Sequence, residues 1–193
     1  MVLVLDTSGP VAALAVLTPS GHVVSERLVP AGRGFDLAPA VAGMIDPVLV
    51  TRVGVAVGPG SFTGIRSGAS YALGLCLGLQ IPLHRLLTLE IAAARALMPV
   101  VAASEAGRGR LHFQAPGGPV VSGGPGDLPL SPAVTGRFRE STITAIREAG
   151  RAVVPEAELI PFGEAAMQLL RRSPEVAYGR LSLEYMGSFG GLG

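Results

Sequence analysis

The first thirty residues alternate between apolar runs and turn residues. Residues 2–6 are an apolar run that ends on Asp6, and residues 11–17 and 22–29 are two further runs joined by the Pro19-Ser20-Gly21 turn. Short apolar runs bounded by turn residues are typical of buried strands. Three of them in succession predict an antiparallel meander.

A helical spacing of apolar residues follows the meander. Residues 36–45 predict a short helix, because their apolar side chains recur at intervals that place them on one face. These side chains are Leu37, Val41, Met44 and Ile45. Pro47 ends the pattern, since proline cannot continue a helix.

The longest apolar pattern begins with a strand-like run at residues 53–57. Gly58-Pro59-Gly60 then predicts a tight turn, and Ser61 or Thr63 is suited to cap a helix N-terminus. Residues 65–79 are mostly apolar and predict a long buried helix. Strand, glycine turn and helix in succession indicate an α/β unit, whose connecting loop commonly carries function.

The next segments complete a ribonuclease-H-like half of meander, helix, strand and helix. Residues 81–86 predict the further strand, and residues 88–97 predict a helix capped by Thr88. Two domains are therefore expected, residues 1–98 and residues 99–193, the second being a smaller and eroded copy. Its predicted strands are 100–103, 110–114, 120–121 and 152–154, and its predicted helices are 138–149 and 163–172. Residues 115–132 predict loop, and the Gly-rich tail from Tyr185 is expected to be mobile.

The amino-acid composition argues against several classes of function. The chain of 193 residues has a net charge of +1 without a basic stripe, which argues against autonomous nucleic-acid binding. All 15 basic residues are Arg, so a P-loop lysine or a Schiff-base lysine is excluded. The single cysteine, Cys76, is expected in the core of a chain suited to the reducing cytoplasm. The most apolar segment, residues 69–81, is shorter than the roughly 20 residues that span a membrane.

The glycine loop at residues 58–64 admits three interpretations. It is a partner-facing surface, a structural connection, or a phosphate cradle at a helix N-terminus. Its G-x-G-x-x-x-G spacing does not match the dinucleotide fingerprint. Arg66 lies near that N-terminus, where a cation is unfavourable by up to about 1 kcal/mol, so a carboxylate or phosphate partner is one interpretation and a solvated arginine the other.

The long helix carries small residues at intervals of four. Gly64, Gly68 and Ala72 form one such series, and Gly74 and Gly78 form another on a different face. Small residues at this spacing let a second backbone approach closely. One face is expected to meet the sheet, and the other meets either a partner helix or the protein interior.

Together these motifs resemble the TsaB (YeaZ) family. Residues 58–66, Gly-Pro-Gly-Ser-Phe-Thr-Gly-Ile-Arg, match its signature without a mismatch, and Leu5-Asp6-Thr7-Ser8, residues 78–83 and Leu89-Glu90 fit at the expected places. The resemblance implies two ribonuclease-H-like halves of the actin/sugar kinase/Hsp70 (ASKHA) fold. It also implies a cytoplasmic, non-catalytic subunit that binds the transferase TsaD, together with the ATPase TsaE, for threonylcarbamoylation of adenosine 37 in tRNAs reading codons that begin with A.

The same resemblance guides the choice of candidate residues. Those expected to bind a partner are Gly58, Gly60, Ser61, Phe62, Thr63, Gly64, Arg66, Gly68, Tyr71, Leu37 and Val41. Those expected to bind a nucleotide or phosphate, if the chain does so, are Asp6, Thr7, Gly60 and Ser61. Asp6 stands where superfamily kinases place the carboxylate that organises Mg-nucleotide, although a turn residue is the favoured interpretation.

No catalytic residue, metal site or cofactor is expected in this chain, and ATP and Mg are used by the complex. Contact with tRNA is expected only through that complex, and a homodimer through the N-terminal helices is expected when TsaD is missing. Two alternatives stay open: an ATPase or kinase-like enzyme of the same fold, and a glycoprotease-like peptidase. The scattered His22, His84 and His112 offer no zinc pairing for the latter.

Overall fold

The computed structural model describes residues 1–32 and 34–185. Its first sheet has five strands in the order β3-β2-β1-β4-β5. They are β1 (Val2–Asp6), β2 (Val11–Leu17), β3 (Val23–Pro30), β4 (Arg52–Ala56) and β5 (Leu83–Leu86). The first three strands pair antiparallel, as the meander predicts, and β4 and β5 extend the sheet in parallel from β1.

The second sheet repeats the first with one strand fewer. Its order is β8-β7-β6-β9. The strands are β6 (Val101–Gly107), β7 (Arg110–Gln114), β8 (Val120–Gly123) and β9 (Val134–Thr135). An antiparallel meander with a parallel strand beside its first member is again present. The predicted fold, an α/β pair of ribonuclease-H-like halves with the second eroded, is confirmed.

In the part of the chain that the structure describes, five α-helices cover these sheets. They are α1 (Leu37–Ala42), α2 (Phe62–Leu79), α3 (Thr88–Ala94), α4 (Glu140–Glu148) and α5 (Phe162–Leu170). Helices α1 and α2 pack on one face of the first sheet, against Leu3 and Leu5. Helix α5 packs on the opposite face, against Val2 and Val4. Strand β1 is therefore buried on both faces, which is why its sequence is apolar without alternation.

Helix α5 follows the second sheet in sequence and packs on the first. Gly54 in β4 makes room for it, because a Cβ there would lie 2.7 Å from Leu170 Cδ1. The helix N-terminus is held by the Glu26 carboxylate of β3, which accepts from the backbone N–H groups of Phe162 (3.1 Å) and Gly163 (2.7 Å). A charged cap supplied by a distant strand thus fixes this helix.

The chain after α5 returns along the edge of the first sheet, and we call residues 173–185 the C-terminal strap. Its backbone bonds to β5 through Val176 N–H, which donates to Leu83 O at 2.8 Å. The Tyr178 hydroxyl lies 2.9 Å from Ile81 O, just beyond the end of α2. Glu184 N–H donates to Val57 O at 2.8 Å, which brings the strap to the start of the glycine loop.

Several local predictions need correction. The first helix is shorter than predicted and is capped by Asp36, which accepts from Ala38 N–H. Thr88 does not cap α3: Leu87 occupies the cap position, and the Thr88 hydroxyl donates instead to Ser8 Oγ at 3.0 Å. The predicted strand at residues 152–154 is a single bridge from Val153 to Val134, and β9 was not predicted. The tail beyond Tyr185 lies outside the described residues.

Candidate functional site

The glycines of the loop after β4 are required by contacts inside the chain. A Cβ on Gly60 would lie 2.4 Å from Ser8 O, and one on Gly64 would lie 2.0 Å from Thr7 O. Gly58 has a φ of +108°, and Glu184 O would lie 2.6 Å from its Cβ. The loop is therefore pressed against the end of β1 on one side and the C-terminal strap on the other.

Ser61 sets the start of α2. Its hydroxyl accepts from Gly64 N–H at 3.3 Å, so of the two predicted caps Ser61 is the one used. Thr7, which sequence reasoning placed in a nucleotide site, donates its hydroxyl to Gly64 O at 2.6 Å. Loop and helix are thus tied to β1 by side-chain and main-chain contacts.

The two small-residue series of α2 have different surroundings. Gly68 is buried against Thr7 and Ala72 is in the core, so the first series faces the sheet. At Gly74 and Gly78 a Cβ would meet nothing within 4 Å among the described residues. Leu77 on the same side is 50% exposed. Helix α2 therefore presents an outward face of small and apolar residues, which we call the open face.

Other predicted partner-binding residues differ in accessibility. Leu37 and Val41 lie on the inner face of α1, so the structure places them in the core and not on a surface. Tyr71 is half-buried, and burial raises the pKa of its hydroxyl. Thr63 and Phe62 are exposed at the start of α2.

Arg66 lies in a cluster with two aromatic rings. Its guanidinium carbon is 3.9 Å from the centre of the Phe62 ring, and its Nε donates to the Tyr185 hydroxyl at 3.1 Å. The two rings have centres 5.0 Å apart. Tyr185 belongs to the C-terminal strap, and no local sequence pattern linked it to α2. The contacts of Arg66 in the described chain are thus with aromatic rings and a hydroxyl.

A cleft of about 440 Å³ lies between the two halves beside this cluster. One wall comes from the ends of β1 and the glycine loop, the other from β6, β7 and the start of α4, with Phe62 and Tyr185 at the side. The polar side chains of the lining are Ser8, Ser61, Glu105, His112, Arg139 and Tyr185.

Each acidic side chain at this junction is bound by an arginine. The Asp6 carboxylate is fully buried and accepts from Ser8 N–H (2.9 Å), Ser8 Oγ (2.6 Å) and Arg137. The Glu105 carboxylate accepts from Arg139 and from the Thr142 hydroxyl (2.8 Å). Asp6 thus has the turn geometry that was favoured for it, and in addition a cation that sequence reasoning missed.

Burial favours the neutral form of two titratable groups. Burial raises the pKa of the Cys76 thiol to about 12, and Cys76 is fully buried in α2. Burial, aided by the nearby Arg110 charge, lowers the pKa of His112, whose Nδ1 lies 2.7 Å from Ser122 Oγ. Within residues 1–32 and 34–185, no three His, Cys, Asp or Glu residues are grouped to hold a metal ion.

Comparison with known proteins places these features in context. Residues 42–175 match the family model described as "TsaD: tRNA N6-adenosine threonylcarbamoyltransferase". An "uncharacterized protein with similarity to peptidase YEAZ from Pseudomonas aeruginosa" superposes with a TM-score of 0.71 at 21% identity, over 96% of this chain and 99% of that one. "YeaZ from Pseudomonas aeruginosa" gives a TM-score of 0.67 at 22% identity, with the same coverage.

No curated protein sequence matches. None of the helices described is long and apolar enough to cross a membrane.

Proposed function

The chain belongs to the TsaD family, as a member of its TsaB (YeaZ) group, and from that premise we propose that it is a non-catalytic subunit that binds and activates TsaD. TsaD then transfers the threonylcarbamoyl group to adenosine 37 of tRNAs that read codons beginning with A. The ATPase TsaE joins the assembly, which we propose to be cytoplasmic. This chain meets tRNA only through the complex.

The open face of α2 is the observation that carries this proposal. Helix α2 is 18 residues long, and Gly74 and Gly78 leave its outer backbone accessible to a second helix. TsaD belongs to the same family as this chain, so a related helix of TsaD is a fitting occupant. In the absence of TsaD, the same face is a surface for a second copy of this chain.

The surroundings of Asp6 favour a binding subunit over an ATPase. A carboxylate that organises Mg-nucleotide needs free oxygens facing the cleft. Here one Asp6 oxygen accepts from Ser8 and the other from Arg137, and the side chain is fully buried. These residues do not fit a magnesium ion, so we propose no nucleotide chemistry in this chain.

The peptidase alternative lacks support from the nucleophiles. Cys76 is buried and its pKa is raised, which opposes thiolate formation. Ser61 is committed to the helix cap through Gly64 N–H. Neither residue has a histidine among its hydrogen-bond partners in the described chain.

Reconstitution tests the proposal. The chain is mixed with TsaD of the same organism, and binding is measured by calorimetry before threonylcarbamoyladenosine formation is assayed on tRNA with the other components present. We expect a stable complex and tRNA modification that depends on this chain. Gly74→Arg, which fills the open face without touching the core, is expected to abolish both.

The alternatives predict different results. Magnesium-dependent ATP turnover by the isolated chain, or cleavage of a protein substrate without other subunits, would contradict the proposal. So would full modification of tRNA when this chain is left out.

A further inference from the structure

Helix α2 carries a single charge. Arg66 is its one ionisable basic residue, and the sequence from Phe62 to Leu79 contains no acidic residue at all. Since the open face beside it is small and apolar, a partner helix that covers this face must also cover or pair that cation. Burying a cation without an anion is strongly unfavourable.

Within the described chain, the guanidinium of Arg66 keeps hydrogen-bond donors available to a partner. Its Cζ lies 3.9 Å from the centre of the Phe62 ring, and within the described chain only its Nε is hydrogen-bonded, to the Tyr185 hydroxyl. Among the described residues its two terminal nitrogens make no hydrogen bond. Phe62 is 49% exposed and Tyr185 is 41% exposed, so the three side chains form one accessible cluster. Tyrosine and arginine are enriched among the few residues that carry most of the binding energy at protein interfaces.

Tyr185 reaches the cluster because the strap fixes the residue before it. Glu184 N–H donates to Val57 O, and the Glu184 carboxylate pairs with Arg85 at 2.6 Å. Glu184 O occupies the space that a side chain at Gly58 would fill. The absence of a side chain at Gly58 therefore leaves room for the C-terminal strap, which places Tyr185 beside Arg66.

We propose that the docking surface for TsaD is composite: Tyr185 of the C-terminal strap, with Phe62 and Arg66 of α2, forms an anchor that binds a carboxylate of TsaD. This inference rests on the proposed function and adds a second chain segment and a partner chemistry to it. Tyr185 holds the guanidinium in place through its Nε, and the terminal nitrogens bind the carboxylate side by side.

A second copy of this chain fits the anchor less well. A copy that presents its own α2 brings another Arg66 and no carboxylate, so like charges would meet. The acidic residues between residue 31 and α2 are Asp36 and Asp46, and the side chain of each already accepts a backbone N–H as a helix cap. The anchor therefore discriminates in favour of TsaD.

Calorimetric titration of TsaD into single variants tests the anchor. Arg66→Gln removes the charge, Arg66→Glu reverses it, and Tyr185→Ala and Tyr185→Phe separate the ring from its hydroxyl. Arg172→Ala removes an exposed arginine just after α5, which packs on the opposite face of the sheet, and is the matched control. Thermal unfolding of each variant establishes that it is folded, and Gly74→Arg reports on the open face itself.

We expect Arg66→Gln to weaken binding about 30-fold or more, Arg66→Glu to weaken it further, and Tyr185→Ala to weaken it about tenfold. Tyr185→Phe is expected to lose less than Tyr185→Ala, and Arg172→Ala to bind like the unmodified chain.

If Gly74→Arg abolishes binding while the Tyr185 and Arg66 variants match Arg172→Ala, the anchor is wrong and the proposed function stands. If Arg66→Glu binds TsaD no worse than Arg66→Gln does, the proposal that Arg66 binds a carboxylate of TsaD is wrong. If the unmodified chain does not bind TsaD, the proposed function and the anchor both fall.

Discussion

The carboxylate of Asp6 and the guanidinium of Arg137 form a buried ion pair between residues 131 positions apart in the sequence. Asp6 ends β1 of the first sheet, and Arg137 follows β9 of the second. The Asp6 side chain is 0% exposed and that of Arg137 is 9% exposed. Arg137 also donates through Nε to Val11 O at 3.1 Å, so one side chain binds two elements of the first sheet.

Removal of Arg137 is expected to destabilise the fold strongly. Arg137→Ala leaves the Asp6 charge buried with only Ser8 as a donor, and we expect the free energy of unfolding to fall by about 3–5 kcal/mol. Urea denaturation measures this. Arg172→Ala is the control and should change stability by less than about 0.5 kcal/mol. A loss for Arg137→Ala as small as that of the control would mean that the pair contributes nothing to the junction.

Two glycines of α2 are expected to respond oppositely to alanine. Gly74→Ala adds a methyl group in open space and removes the helix-interior cost of glycine, so stability should rise by about 0.5–1 kcal/mol. Gly64→Ala places a Cβ 2.0 Å from Thr7 O, and we expect a loss of about 1–3 kcal/mol. Thermal unfolding compares them. Equal effects from the two changes would contradict the different surroundings of the two small-residue series.

The local pattern of the sequence was enough to predict most of the first sheet. The strands at residues 2–6 and 11–17 are observed at their predicted bounds, because β1 and β2 are apolar runs closed by turn residues. The long helix followed from the same local signals, with Ser61 as one of its two candidate caps, and it begins three residues before its predicted start. Strand β9 is only two residues long, and its pairing with β6 depends on a distant partner, so no periodicity could reveal it.

The candidate site was less predictable, since its contacts join residues far apart in sequence. The cation at Asp6 comes from Arg137, and the hydroxyl at Arg66 comes from Tyr185. Neither pairing leaves a mark in spacing or composition. Thr88 illustrates the opposite failure: it has a good cap sequence, but its hydroxyl bonds to Ser8. The division of the chain at residue 98 and the roles of the partner-binding residues stay predictions.

The cap of α5 by Glu26 gives a local prediction. Glu26→Ala removes the acceptor for the N–H groups of Phe162 and Gly163, and we expect a loss of about 1–2 kcal/mol. Hydrogen exchange resolves the site of the change, because the Gly163 amide should exchange faster while the amide of Ile146 in α4 is affected less. Unchanged exchange at Gly163 would contradict the cap.

Cys76 is expected to be unreactive in the native state. Its thiol is fully buried, and its pKa of about 12 lowers the thiolate fraction at pH 8 by roughly 1,000-fold relative to a free cysteine. Ellman's reagent should therefore label the native chain far more slowly than the same chain in urea. Rapid labelling of the native chain would mean that the thiol is exposed, and would reopen the question of a nucleophile on α2.

His112 makes the stability of the fold depend on pH in a defined direction. Its pKa is lowered by burial and by Arg110, whereas in the unfolded chain it returns to about 6.5. Between these two pKa values the unfolded chain binds more protons than the folded chain does. The contribution of His112 to stability is therefore complete above about pH 6.5, and it is lost as the pH falls toward the lowered pKa of the folded state. The unfolding free energy of the chain minus that of His112→Gln should therefore shrink from pH 8 to pH 5. Subtraction cancels the carboxylates common to both proteins, and His22→Gln at an exposed position is the control. A difference that grows as the pH falls would mean that the folded state prefers the charged imidazole. The protonated ring of His112 would then be a cation in the cleft that Glu105 also lines.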